Sequence, residues 1–357
     1  MTSVDAQSKK VTLCAYKADL GGFVGHTSIH PDLLEIARER LLGFREKGRI
    51  RDFHVMRCGD DIELLMTHYQ GCASADIEDM VMNVLSACAT RSSELKLYGS
   101  LQSLLRGDFS GSVAGLGFGL AEMEFVERES EPVLVFMADK ALSGLWNLPL
   151  YKIFADPFNT PGLVMDDVMM EGFSFSVFDR KDAATTVFKA PEQLYQLLAL
   201  IGDSTRYLVT EVRRSHDGEL AAVVSTESKI DKTGGSAPST GRGEDPVVMM
   251  RCQKGLPAVG EVLEAFTFPY LVEGWMRGAH IGPLMPVPFY EANPTRFDGP
   301  PRVIASGFQL SKGQLIGPHD MFDDPAFDQS RREASKVSGY MRRHGPFKPH
   351  RIIDKNL

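Results

Sequence analysis

The sequence predicts an α+β protein with a single compact domain, and two observations support this fold class. Segments with strand character come in adjacent pairs between helical segments, which favours layered α+β sheets over a regular alternation of strand and helix. No internal repeat and no polar linker divides the 357 residues, of which 43% are hydrophobic. One unit with a large core is therefore favoured over two independent domains.

Each element follows from a local pattern. Apolar runs with strand composition predict strands over residues 11–19, 52–59, 62–69, 121–128 and 132–139. Apolar residues at three- and four-residue spacing predict helices over residues 30–48, 75–92, 191–202 and 323–345. Residues 207–227 form the clearest hairpin, with His216-Asp217-Gly218 at its turn. We expect a disordered polar tail over residues 1–10, a turn at the glycine-rich residues 115–119 and a mobile loop at residues 229–245.

The charge and the cysteine content restrict the classes of partner. The formal net charge is −8 and is spread along the chain, which argues against nucleic acid and membranes but not against an anionic substrate. No apolar segment has the length of a membrane span. The five cysteines include no Cys-x-x-Cys pair, which predicts buried free thiols in a reducing compartment. Together these features predict a cytoplasmic protein.

Acidic residues recur at the ends of the predicted strands. They are Asp19 with His26 following it, the pair Asp60-Asp61, Asp139 beside Lys140, and the pair Glu244-Asp245 before Val247. Any one of them alone is more typical of a turn or a cap. Carboxylates that converge repel one another, and hard divalent cations relieve that repulsion. Oxygen ligands with at most one histidine favour Mg²⁺ or Mn²⁺ over Zn²⁺, and several such ions in a cleft suggest a phosphorylated substrate.

Other candidates carry less information. Arg277 and the run Arg296-Phe297-Asp298 lie in loops rich in glycine and proline, where a guanidinium could bind phosphate or, equally well, loop carbonyls. No Gly-x-Ser-x-Gly nucleophile motif is present in the sequence.

Long stretches of the chain resemble one known family. They include "KADLGGFVGHTSIHPD", "GDDIELLMTH", "EPVLVFMADK", "NLPLYKIFADPFNTPGLV" and "GWMRGAHIGPLMPV", and they run in the family's order from about Val11 to Arg351. The chain resembles the archaeal-type (class V) fructose-1,6-bisphosphate aldolase/phosphatase family. The resemblance implies a four-layer α-β-β-α sandwich over residues 11–357, a Mg²⁺ site and a homo-oligomer, octameric where known.

The resemblance also implies roles for individual residues. The implied metal ligands are Asp19, His26, Asp60, Asp61, Gln102 and Asp139, with Glu244 and Asp245 matching a further acidic pair. Asp19 matches the general base of the phosphatase reaction, and Asp60 and Asp61 would act with it. The implied substrate contacts are His26, Tyr98, Gly111, Ser112, Lys140, Gln253, Lys254, Arg277 and Asp298. Lys254 stands where the family has histidine.

The departures from the family pattern concern one reaction. Family members carry a Tyr-x-x-Lys-Asp-Asp-Pro loop, whose lysine forms a Schiff base with dihydroxyacetone phosphate and whose tyrosine transfers a proton. Here the stretch is "TGRGEDP", with Thr240 for the tyrosine, Gly243 for the lysine and Glu244 for the first aspartate. Neither threonine nor glycine forms an imine. The chain ends at Leu357, before the family's C-terminal tail and its active-site tyrosine. Lys229, Lys232 and Lys254 are the nearby lysines, but a nucleophilic lysine needs a lowered pKa and accurate placement.

Three functional hypotheses follow. The first is a Mg²⁺-dependent phosphatase acting on fructose 1,6-bisphosphate or a related phosphorylated sugar, without the aldolase activity. The second is a metal-dependent lyase or isomerase acting on a phosphorylated or enolisable substrate in a specialised pathway. The third is a non-catalytic, metal-stabilised oligomer with a binding role. Assays of phosphate release and of carbon–carbon cleavage distinguish them.

Overall fold

The computed structural model describes residues 10–98, 112–113, 116–227, 246–274, 280–296 and 299–344. The strands are β1 (Lys10–Asp19), β2 (Asp52–Cys58), β3 (Asp61–His68), β4 (Ser112–Val113), β5 (Leu116–Val126), β6 (Glu131–Asp139), β7 (Phe173–Asp179), β8 (Ala184–Ala190), β9 (Tyr207–Arg214), β10 (Leu220–Val224), β11 (Thr226–Glu227), β12 (Val247–Arg251), β13 (Leu271–Gly274), β14 (His280–Pro283), β15 (Met285–Pro286), β16 (Arg302–Ser311) and β17 (Gln314–Asp320). The helices are α1 (Pro31–Glu46), α2 (Ala75–Glu94), α3 (Asn147–Ala155), α4 (Gly162–Met165), α5 (Leu194–Ile201), α6 (Val259–Glu264) and α7 (Asp328–His344). Short 3₁₀ helices cover Ser143–Trp146, Met169–Glu171, Phe289–Glu291 and Pro325–Phe327.

Local signals explain where the first two helices begin. His30 caps α1 by accepting a hydrogen bond from the Asp32 amide, and Pro31 occupies the first turn, where its missing N–H costs nothing. Ser74 caps α2 in the same way by accepting from the Ile77 amide. The predicted helices over residues 30–48 and 75–92 are therefore confirmed, with α2 two residues longer than expected.

Two sheets carry most of the strands. The first has the order β11-β5-β1-β3-β2, with β4 paired to β5. The second has the order β15-β16-β6-β12-β10-β9-β7-β8, with β17 paired to β16. A separate pair joins β13 to β14. Among the described residues, the strand pairings are antiparallel except that of β15 with β16, which is parallel.

Three buried cores separate four layers. One core joins α1 and α2 to the first sheet, through residues such as Leu33, Leu41 and Val84. The second lies between the two sheets, and the third joins the second sheet to α3, α5 and α6. The predicted α+β fold in α-β-β-α layers is confirmed.

Alternation along two strands decides which acidic side chains face the space between the sheets. In β6, Val133, Val135 and Met137 belong to the inter-sheet core, whereas their even-numbered neighbours belong to the outer core. Asp139 follows the odd-numbered series and therefore faces the first sheet. Asp19 likewise follows the series of β1 residues that faces the second sheet. The two carboxylates thus approach the same interior from opposite sides.

One expectation about the glycine-rich segment was wrong. Residues 116–119 are not a turn but the start of β5, because β1 pairs with Phe118 and Gly119 on one side and β11 pairs with Gly119 on the other. Pairing with two neighbours outweighs the weak strand propensity of glycine. The expected mobile loop at residues 229–245 lies outside the described residues, as does the predicted tail except for Lys10, which begins β1.

The cysteines agree with their prediction. All five are free thiols, and four are buried while Cys72 is exposed. No helix among the described residues is long and apolar enough to cross a membrane.

Candidate active site

Three side chains that could bind a metal meet where β1 ends and β2 turns into β3. Asp19, His26 and Asp60 each offer a ligand atom, and these atoms lie within 4.8 Å of one another. The Nδ1 atom of His26 is 2.8 Å from Oδ2 of Asp60. Asp60 is fully buried, whereas the His26 side chain is about half exposed. The cluster therefore lies at the ends of two inner strands of the first sheet, with Asp60 inside, Asp19 partly buried and His26 towards solvent.

The loop that carries His26 is held by backbone pairing. Gly22 forms bridges with both Ile29 and Tyr98, and it exchanges hydrogen bonds of 3.0 Å and 2.9 Å with the Tyr98 backbone. The Tyr98 ring meets the His26 ring edge-on, with 4.6 Å between the ring centroids. A side chain at residue 22 would collide with Asp60, because its Cβ would lie 2.8 Å from the Asp60 Cβ. Tyr98, predicted as a substrate contact, thus borders the cluster.

Lys140 connects the cluster to the second sheet. Its Nζ atom lies 2.6 Å from Oδ1 of Asp60 and 3.0 Å from Oδ1 of Asp139. Lys140 adopts a left-handed backbone (φ 63°), a conformation unfavourable by about 1–3 kcal/mol for a residue with a side chain and typical of ligand sites. Gly59 makes the approach of Asp139 possible, since a Cβ there would lie 2.4 Å from the Asp139 carboxyl carbon. The turn between β2 and β3 therefore packs closely against the end of β6.

Asp61 lies beside the cluster but points to a different partner. Its Cα pairs with that of Asp19 across the first sheet, and its Oδ2 atom is 2.8 Å from the Lys17 ammonium. Both side chains are almost fully buried. Glu63, the register partner of Lys17, is also buried, and burial raises its pKa to about 8. The assignment of Asp61 as a metal ligand stays a prediction.

The electrostatics separate the two clustered carboxylates. Burial acts to raise the pKa of Asp60, but hydrogen bonds from His26 and Lys140 hold that pKa well below its usual range. Burial, followed by the charge of Asp60, raises the pKa of Asp19. The hydrogen bond to Asp60 raises the pKa of His26. These contacts favour the ionised form of Asp60, and Asp19 is the carboxylate that accepts a proton more readily.

The charges around the cluster fit a hard divalent cation. Within the described ranges, four aspartates meet two lysines and His26 here, so the cluster is rich in carboxylate oxygens. Carboxylate and imidazole donors suit Mg²⁺ or Mn²⁺. The members of this set are Asp19, Asp60, Asp61, Asp139, Lys17 and Lys140.

Comparison with known proteins agrees with this chemistry. A family model described as "Fructose-1,6-bisphosphatase" matches residues 10–357. The chain belongs to the fructose-1,6-bisphosphatase family. Membership places it among the phosphoric monoester hydrolases.

The chain is similar over nearly its whole length to curated proteins named "Fructose-1,6-bisphosphate aldolase/phosphatase". The protein of Moorella thermoacetica is 53% identical over 96% of this chain and 89% of its own length. That of Ignicoccus hospitalis is 52% identical over 97% of this chain and 88% of its own length. That of Thermococcus kodakarensis is 50% identical over 97% of this chain and 93% of its own length. The family resemblance predicted from the sequence motifs is confirmed.

Two predicted substrate contacts of this fructose-1,6-bisphosphatase family member lie far from the cluster. Gln253 and Lys254 follow β12, and the preceding Cys252 amide donates to the Pro132 carbonyl at the start of β6. Asp139 lies at the other end of β6, seven residues of extended strand further on, which is roughly 23 Å. Within one chain, Gln253 and Lys254 therefore do not contribute to the site around Asp60.

The remaining predicted residues cannot be positioned in the same way. Ser112 is described through its backbone, as the strand partner of Gly117. The others lie outside the described residues: Gln102, Gly111, Glu244, Asp245, Arg277 and Asp298. The described chain resumes at Pro246, and Val247 pairs with Met137, two residues before Asp139.

Lys17 is a site residue that the sequence reasoning missed. The signal was present, because Lys17 precedes Asp19 by two residues in a strand and therefore shares its face. A lysine in an otherwise apolar strand, facing the core, requires a buried anion as its partner. Asp61 is that partner.

Proposed function

We propose that the chain is a Mg²⁺-dependent phosphatase of fructose 1,6-bisphosphate or a related phosphorylated sugar, and that it lacks the aldolase activity named in its relatives. The observation that carries the proposal is the convergence of Asp19, His26 and Asp60 within 4.8 Å, with the Lys140 ammonium 2.6 Å from Asp60. In this arrangement, candidate metal ligands and a cation that could bind phosphate lie in one cluster.

The residues of the site would divide the work of hydrolysis. Asp19, His26 and Asp60 would hold a divalent cation, which when bound would neutralise phosphoryl charge and lower the pKa of a water molecule. Asp19 acts as the general base: the Gly21 amide holds its Oδ1 atom at 2.8 Å, which leaves Oδ2 to accept the proton. Lys140 binds the transferred phosphoryl group, and its ion pairs with Asp60 and Asp139 orient its ammonium group. The raised pKa of Asp19 makes it a stronger base than an ordinary aspartate, which suits a group that accepts a proton in each turnover.

The sequence of residues 240–246, "TGRGEDP", supports the loss of the aldolase activity. Gly243 and Thr240 stand where the family has its Schiff-base lysine and its tyrosine, and neither replaces the lost chemistry. Glu244 and Asp245 retain two carboxylates directly before Pro246, and Pro246 leads into the strand beside Met137. In this proposal the acidic pair continues to bind metal.

We further propose that the active site is completed by a second copy of the chain. If Gln253 and Lys254 contact substrate, as the resemblance implies, they do so from a neighbouring subunit, because roughly 23 Å of β6 separates them from Asp139 in their own chain. A homo-oligomer follows from this requirement. The octamer and the cytoplasmic location expected from the sequence belong to the same proposal, and the free cysteines agree with that location.

An assay of phosphate release tests the function directly. Purified protein is expected to release inorganic phosphate from fructose 1,6-bisphosphate or another member of a sugar-phosphate panel, and EDTA is expected to abolish the release until Mg²⁺ is restored. Product analysis by NMR on the same samples distinguishes hydrolysis from a lyase or isomerase reaction. No phosphate release across the panel from protein shown to bind metal contradicts the proposal.

Mixing inactive chains tests the shared site. We expect Asp60→Asn chains and Gln253→Ala/Lys254→Glu chains to be poorly active alone. Co-expressed in equal amounts, they should regain about a quarter of wild-type activity, because random assembly unites an intact cluster with an intact neighbour at that frequency. Mixing Asp60→Asn with Asp19→Asn chains is the control and should restore nothing, since both changes affect the same half-site. Mixed oligomers without recovery would show that the site lies within one chain.

A further inference from the structure

A buried glutamate beside the site has no part in the proposed hydrolysis. Glu63 is fully buried in β3, and neither oxygen of its carboxyl group has a hydrogen-bond partner in the described part of the chain. Burial without a partner is costly for such a group, because it removes the water that would otherwise solvate the carboxyl. A buried polar group of this kind is rare and indicates a partner that joins it in another state of the protein.

The strand register places Lys17 directly opposite Glu63. Across β1 and β3, Lys17 pairs with Glu63, and the next pair on the same face is Asp19 with Asp61. This face looks into the core between the two sheets. In an antiparallel pair, directly opposite residues have Cβ atoms about 4.5–5.5 Å apart, whereas diagonal neighbours are roughly 7–8 Å apart. The backbone therefore places Lys17 closer to Glu63 than to Asp61.

The Lys17 ammonium nevertheless binds the diagonal carboxylate. Its Nζ atom is 2.8 Å from Oδ2 of Asp61, and both side chains are almost fully buried. Two carboxyl groups thus lie within reach of the flexible four-carbon stem of one lysine. The one that Lys17 binds belongs to Asp61, which the family resemblance implies as a metal ligand.

A divalent cation that binds Asp61 has to compete with this ion pair. The cation and the ammonium repel each other, and both require the Asp61 carboxylate, so metal binding is favoured when the ammonium moves away. A buried ammonium that merely lost its partner would be very unfavourable. Glu63 offers Lys17 an acceptor on the same face of the sheet, with both carboxyl oxygens unoccupied by any described residue.

We propose that Glu63 is a positioning residue that receives the Lys17 ammonium when a divalent cation binds Asp61. In the metal-free protein Lys17 pairs with Asp61, and in the metal-bound protein it donates to Glu63 and leaves Asp61 to the cation. This inference rests on the proposed function, and specifically on the predicted role of Asp61 as a metal ligand. Glu63 acts through Lys17 and contacts neither the metal nor the substrate.

The test replaces Glu63 with glutamine, which keeps the shape of the side chain but removes its negative charge. We expect the affinity for Mg²⁺, measured by calorimetry on the full-length protein, to fall about tenfold, because Lys17 then continues to compete for Asp61. The melting temperature of the metal-free protein should not fall, because its ion pair joins Lys17 to Asp61 and not to Glu63.

A matched control lies on the other face of the same sheet. Glu122 also has a buried carboxyl oxygen without a hydrogen-bond partner among the described residues. It pairs with Cys14, which belongs to the core beneath α1 and α2, so its side chain faces away from Lys17. Glu122→Gln should leave the Mg²⁺ affinity unchanged.

A double-mutant cycle with Lys17 makes the test specific. Lys17→Met removes the competing ammonium, so the Mg²⁺ affinity should rise, and adding Glu63→Gln should then have no further effect. A glutamate that only shapes the interior would weaken binding equally in both backgrounds. Asp61→Asn removes the contested carboxylate, and it provides a second background with the same expectation for Glu63→Gln if Lys17→Met does not fold.

Metal binding and phosphate release separate this inference from the proposed function. If Glu63→Gln weakens Mg²⁺ binding through Lys17 but the wild-type protein hydrolyses no sugar phosphate, the exchange stands and the proposed function fails. If phosphate is released but Glu63→Gln binds Mg²⁺ as the wild type does, or loses the same affinity in the Lys17→Met background, the exchange is overturned. Glu63→Leu, which removes the acceptor altogether, serves if Glu63→Gln does not fold. A wild-type protein that binds no divalent cation overturns both.

Discussion

Substituting Asp60 with asparagine is expected to lower phosphate release at least about a hundredfold, through loss of charge at the centre of the site. Asp60 contacts both His26, at 2.8 Å, and Lys140, at 2.6 Å. Its pKa lies well below the usual range because those two groups favour its charged form. A neutral amide in the same place cannot balance a metal ion and directs N–H groups towards the Lys140 ammonium.

Metal binding and phosphate release should both be reduced in Asp60→Asn. Calorimetric titration with Mn²⁺ is expected to show metal affinity reduced by at least about 10–100-fold, and circular dichroism should show an unchanged fold. Asp182→Asn is the control, because Asp182 is an exposed aspartate paired with Arg206 far along the chain and should leave both values unchanged. Metal binding at wild-type strength in Asp60→Asn would remove Asp60 from the ligand set.

The second large effect is the absence of a covalent intermediate. Incubation with dihydroxyacetone phosphate and borohydride is expected to add no mass to the protein, because Gly243 has no amine to form an imine. Carbon–carbon cleavage of fructose 1,6-bisphosphate should correspondingly remain at the background rate while phosphate is released. The measurement is intact-protein mass spectrometry beside a coupled cleavage assay.

The trapping experiment has a positive control and a set of lysine variants. The Moorella thermoacetica protein, 53% identical and named as an aldolase/phosphatase, serves as the positive control for trapping. If an adduct forms on the present chain, peptide mapping will show whether Lys229, Lys232 or Lys254 carries it, and the corresponding Lys→Met variant should abolish it. A trapped adduct at any of these lysines would contradict the loss of the aldolase chemistry.

The family and the strands could be read from sequence because their signals are local. The period-two pattern of β1 and β6 predicts both the strands and the face on which Asp19 and Asp139 lie. Where a local signal was ambiguous, the prediction failed: glycines 117 and 119 suggested a turn, yet β1 and β11 draw them into β5.

Only the tertiary structure shows which residues come together in the site. Asp60 and Asp61 are adjacent and carry the same local signal, but the turn sends Asp60 to His26 and Lys140 and Asp61 to Lys17. His26 and Lys140 lie 34 and 80 residues from Asp60 along the chain, so strand pairing and layer packing bring the three side chains together. The resemblance likewise implied a substrate role for Gln253 and Lys254, and only the register of β12 on β6 showed that they lie at the far end of the sheet from Asp139.

By itself the sequence determined the family, through its resemblance to the family's motifs, and the fold class, because hydrophobic periodicity acts over a few residues. The tertiary structure decided which of the acidic residues lie together and which lysines pair with them. The physical reason is that electrostatic interactions depend on distances in space, and those distances are set by pairings between segments far apart in the chain.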